Sequence, residues 1–108
     1  MSNDFQTNCQ DADALLKPYR NNTLPHFING KADVGRSGKT FDCLTPVDNS
    51  LIGEIAAGNK DDIDAACQAA DAAFNEWKAL PGKERRVLMH KVADGIVARV
   101  RDIALVES

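Results

Sequence analysis

Three cysteines and two histidines are the side chains here best suited to nucleophilic, acid–base or metal chemistry. Cys9, Cys43 and Cys67 are odd in number and lack metal-ligand spacing, so they read as free thiols of a reducing compartment. His26 opens an extended run with no neighbouring acid or cysteine partner, and it reads as structural or solvated rather than catalytic. His90 falls on the wet side of a helical pattern. No glycine-rich turn joins a strand to a helix, so there is no phosphate cradle. No Ser- or Cys-based nucleophile motif is present, and no His/Cys/Asp/Glu cluster has the spacing of a metal site.

The elements that would position chemistry are clearer than the chemistry. Asn59 to Leu80 reads as the central helix. Asn59 is a good N-cap, and Asp62 three residues on makes a capping-box variant with acids at the positive end of the helix dipole. Ile63, Ala66, Cys67, Ala70, Ala73, Phe74 and Trp77 recur in steps of three and four, which predicts one apolar side facing a core. Lys78 suits the last turn, and Pro81-Gly82 ends the run. Most of that side is alanine. It is too small to offset the entropy of ordering the helix, so it calls for a large partner surface.

Around this helix, strands come first and helices after. Met1 to Thr23 is polar, and residues 1–24 read as an arm with one short helix that Asp11 caps and Pro18 limits. Asn29-Gly30, between His26-Phe27-Ile28 and Lys31-Ala32, predicts a hairpin, because both central residues of a type I′ turn need positive φ. Lys39 to Thr45 and Leu51 to Ala57 predict an antiparallel pair across the Pro46 turn. Apolar residues on both faces of the second strand predict cover on both sides, and Gly53 predicts a bulge or a close backbone approach. Pro81 then starts a second helix whose apolar side is Leu88, Met89, Val92, Ala93, Ile96, Val97 and Val100. Gly95 within it costs about 1 kcal/mol relative to alanine. A break is expected near Arg99 to Arg101, with a third helix to the end. The sequence stops at Glu107-Ser108 inside a helical pattern, so residues 25–108 read as an incomplete domain.

Bulk properties narrow the function classes. Of the 108 residues, 44% are hydrophobic, enough for a core, and 27% are charged. A net charge of −3 argues against nucleic-acid binding, which wants a basic face, and against attraction to an anionic membrane. The N-terminus has no signal-peptide pattern, and no apolar run approaches a membrane span, so the expected location is the cytoplasm.

The order of these pieces resembles the N-terminal segment of the NAD(P)-dependent aldehyde dehydrogenase family. The resemblance is carried by Phe27-Ile28-Asn29-Gly30, Thr40-Phe41 with Pro46, and Ile52-Gly53-Glu54-Ile55-Ala56. It continues through Asp62-Ile63-Asp64-Ala65-Ala66 and Ala69-Ala70-Asp71-Ala72-Ala73-Phe74-Asn75-Glu76-Trp77. Leu80-Pro81 with Glu84-Arg85, Leu88-Met89 through Ala93-Asp94, and Leu105-Val106-Glu107-Ser108 complete it. The family implies an α/β fold in which antiparallel hairpins followed by amphipathic helices form the outer part of a Rossmann-like coenzyme domain. It also implies a homo-oligomer that oxidises an aldehyde with NAD or NADP through a cysteine thioester.

The family's nucleophilic cysteine, its glutamate, its oxyanion asparagine and its dinucleotide contacts lie beyond this sequence. The segment is therefore expected to be inactive and to bind no cofactor alone. Cys67, on the core side of its helix, and Cys43, in a strand, are expected to be buried, inert thiols. One family site reaches the segment: backbone carbonyls before the strand-ending proline, here Cys43 and Leu44, would help hold a structural monovalent cation. The turn Pro46-Val47-Asp48-Asn49-Ser50 and the polar N-terminal extension resemble members acting on hydroxymuconic-type semialdehydes. The alternative is a free-standing, non-catalytic α/β interaction or dimerisation module.

Overall fold

The structure is a computed structural model that describes residues 2–108, with the side chains of Ser2 and Asn3 left aside. Its elements run α1 (Ser2–Leu16), β1 (Thr23–Leu24), β2 (His26–Ile28), β3 (Lys31–Asp33), β4 (Thr40–Leu44), β5 (Leu51–Ala56), α2 (Lys60–Ala79), α3 (Gly82–Ala98) and α4 (Val100–Glu107). Strands precede helices, apart from α1, and the fold is mixed α/β, as the sequence predicts. The chain divides into two units. One spans Tyr19–Trp77, and the other joins residues 2–18 to Lys78–Ser108.

In the Tyr19–Trp77 unit, β2 and β3 form the expected hairpin, with Phe27 opposite Ala32 and Ile28 opposite Lys31. Asn29 at φ 54° and Gly30 at φ 74° turn the chain, the left-handed conformation that Asn and Gly tolerate best. β4 and β5 pair antiparallel from Thr40–Ala56 to Leu44–Leu51, also as expected. The sheet has a third member that the sequence pattern does not announce. β1 lies parallel to β5, giving the order β1-β5-β4, with Thr23 beside Glu54 and Leu24 beside Ile55.

Gly53 is where a close approach is needed. A Cβ on it would collide with the Tyr19 carbonyl oxygen and come within 3.0 Å of the Asn22 oxygen. The bare glycine lets the chain before β1 lie against β5, where the Glu54 N–H donates to the Asn22 carbonyl at 3.1 Å. Burial along β5 is uneven. Gly53 and Ala56 are buried, Ile52 and Ile55 half-buried, and Leu51 and Glu54 exposed. The expectation of cover on both sides is thus met only in part within these residues.

Helix α2 starts where the cap predicts, but its apolar stripe faces outward in this chain. Ile63, Phe74 and Trp77 are exposed, while Ala65, Ala66 and Ala69 are half-buried beside the buried Asp62. A small, alanine-lined surface is what these strands can cover; the bulky residues extend past it.

In the other unit, α3 and α4 are separated by Arg99 (φ −114°, ψ 12°), inside the predicted interval. Helix α1 is longer than expected, with Asp4 in its first turn. Asp11 does not cap it. Asp11 sits in the helix interior and accepts from Arg101 Nη2 on α4 at 2.8 Å, while Asn8 accepts from the same nitrogen at 3.0 Å. This contact ties α1 to α4, in a polar segment that would be marginal in isolation.

Candidate functional site

The densest polar cluster is centred on Asp62, and it begins with helix capping. The Asp62 N–H donates to Asn59 Oδ1 at 3.0 Å, and the Asn59 N–H donates back to Asp62 Oδ2 at 3.0 Å. This is a reciprocal capping box with aspartate in place of glutamate. It places a carboxylate at the positive end of α2, where the helix dipole favours it.

The second layer comes from the loop after β3. The Arg36 N–H donates to Asp62 Oδ1 at 2.9 Å, and Arg36 Nη1 reaches the same oxygen at 3.2 Å. Arg36 Nη1 also contacts both carboxylate oxygens of Asp33, which in turn accepts the Gly35 N–H at 2.9 Å. Burial pushes the Asp62 carboxyl up, but the Asn59 N–H, the Arg36 bonds and the charge of His26 together outweigh it and hold it below its usual value. Asp33 is also held down, chiefly by the Gly35 N–H. The hydrogen bond to Asp62 raises Arg36.

His26 does have an acid near it in space. Its Nε2 lies 3.8 Å from Asp62 Oδ2, too far for a hydrogen bond, and that nitrogen is buried with no hydrogen-bond partner. The ring fits between two glycines: a Cβ on Gly35 would stand 3.2 Å from Nε2, and one on Gly58 would stand 3.6 Å from Cε1. Sequence reasoning missed this acid partner because the two residues are far apart in the chain. The signal available was the pair of glycines flanking a polar helix start.

Serine, histidine and aspartate therefore gather here, yet not as a nucleophilic triad. Ser37 Oγ donates to the Ala57 carbonyl at 2.9 Å and accepts the Lys39 N–H at 3.1 Å, so its hydroxyl is committed to the backbone. Both Asp62 oxygens already accept donors. The cluster is a clasp that fixes the 34–37 loop against the start of α2.

Shallow hollows on α3, one lined by Lys83, Glu84, Val87 and Leu88 and one by Arg86, Met89, His90 and Ala93, are each walled by a single helix. Among the described residues, no three His, Cys, Asp or Glu side chains gather to hold a metal ion. The cysteines are free: Cys9 is exposed and Cys43 half-buried. Cys67 is exposed too, against the expectation of a buried thiol, because it lies on the outward side of α2 with Ile63.

Cys43 and Leu44 sit at an irregularity in the β4–β5 ladder. Cys43 faces Gly53 and Leu44 faces Leu51, so Ile52 is the extra residue of a bulge. The turn that follows is held by the Thr45 N–H to the Ser50 carbonyl at 2.9 Å and by the Ser50 N–H to Asp48 Oδ1 at 2.9 Å. Backbone carbonyls at such a break are hard oxygen donors of the kind a monovalent cation takes, but two alone make a small part of a coordination shell.

Residues 34–108 match the model of the aldehyde dehydrogenase family. This chain belongs to the aldehyde dehydrogenase family. It is 39% identical over 77 residues to a 2-hydroxymuconic semialdehyde dehydrogenase of Pseudomonas putida, covering 70% of this chain and 16% of that protein. It is 40% identical over 76 residues to a vanillin dehydrogenase of Pseudomonas fluorescens, again covering 70% and 16%. In three dimensions it superimposes on the crystal structure of HpcC from Thermus thermophilus with a TM-score of 0.83 and 28% identity, over 89% of this chain and 19% of that one. The chain thus spans about a sixth of the length of the curated relatives it matches.

A phosphate seated at a helix start needs open N–H groups there. At the turn from β5 into α2 the Asn59 and Asp62 N–H groups are already taken, by the Asp62 carboxylate and by Asn59 Oδ1, and that carboxylate's negative charge disfavours a phosphate. This helix start is a poor seat for a dinucleotide phosphate.

Proposed function

We propose that this chain is the N-terminal part of an NAD(P)-dependent enzyme that oxidises an aldehyde or semialdehyde to the carboxylate through a cysteine thioester. The match over residues 34–108 carries the reading. The nucleophilic thiol, the water-activating glutamate and the dinucleotide contacts are assigned to chain outside these 108 residues. NAD(P) would accept the hydride there, and none of Cys9, Cys43 or Cys67 is assigned a part in that step. The role proposed for this segment is structural, supplying outer strands and helices to a Rossmann-like coenzyme domain. The proposal includes a homo-oligomer in the cytoplasm and a monovalent cation held in part by the Cys43 and Leu44 carbonyls.

A hydroxymuconic-type semialdehyde is the substrate class we favour, on the likeness to the Pseudomonas putida enzyme and on the Pro46-to-Ser50 turn. The test is an assay of the native gene product carrying residues 1–108, with NAD+ and NADP+, against 2-hydroxymuconic semialdehyde and an aromatic aldehyde. Aldehyde-dependent formation of reduced nicotinamide is expected, fastest with the semialdehyde. A folded product that reduces neither coenzyme with any aldehyde would overturn the proposal.

A further inference from the structure

We draw no further inference here: the strongest candidate, the exposed apolar side of α3 formed by Met89, Val92, Ile96 and Val97, is an unpartnered helix face, and nothing in the structure shows what covers it.

Discussion

Arg36 and Asp62 meet twice at one oxygen. The Arg36 backbone N–H donates to Asp62 Oδ1 at 2.9 Å, and the guanidinium Nη1 reaches the same atom at 3.2 Å. One carboxylate thereby secures both the start of α2 and the loop that follows β3. It is buried, with a side chain only 4% exposed, so its stability contribution depends on remaining ionised and bonded.

Acid should therefore loosen this junction in a defined direction. The Asp62 carboxyl lies below its ordinary value in the folded chain. The stability it contributes is present above the unfolded value of about 3.9 and is lost as pH falls through the lower folded value. Asp33 adds to the same trend. Asp62→Asn should be less stable than the parent at neutral pH, and the gap should narrow as pH drops below about 4. Thermal melts followed by helical circular dichroism would measure both. A gap that stays constant with pH would refute the ionised-clasp account.

Asn59→Ala removes the side-chain acceptor for the Asp62 N–H. The loss should be about 1 kcal/mol, read as a lower Tm than the parent's. Asn59→Ser should restore most of it, because serine caps about as well. An alanine variant as stable as the parent would show that α2 starts without its cap.

Gly53→Ala should cost about 1–3 kcal/mol, because the added methyl meets backbone that cannot rotate away. Relief requires the Tyr19–Asn22 segment to leave β5. Amide exchange at Glu54, whose N–H donates to the Asn22 carbonyl, should accelerate more than exchange within the β4–β5 ladder. Unchanged exchange at Glu54 would mean that the parallel β1–β5 pairing does not depend on this glycine.

What could be read from the sequence was local. Asn59 and Asp62 announce a helix start, Asn29-Gly30 a turn with positive φ, Pro81 a second helix and the Arg99 region a break, and each is decided by residues within a few positions. What escaped was set at long range. The pairing of Thr23–Leu24 with β5 rests on the bare backbone of Gly53. Asp11 pairs with Arg101, far along the chain. His26 finds Asp62 only once the hairpin and α2 are in place. Periodicity marked Ile63, Cys67, Phe74 and Trp77 as a core-facing side of α2, but these strands cover only the alanine surface beside Asp62, and so Cys67 came out exposed. The cluster around Asp62 was illegible for the same reason: it joins β2, the loop after β3 and the start of α2, which no local pattern links.

The most direct measurement is aldehyde-dependent reduction of NAD+ or NADP+ by the purified 108-residue polypeptide, beside triple Cys→Ser replacement at positions 9, 43 and 67. If the reacting thiol and the coenzyme site belong to other parts of the enzyme, both polypeptides should give only the background rate. Turnover by the parent polypeptide that vanishes on cysteine replacement would contradict that assignment and place an active centre inside this segment.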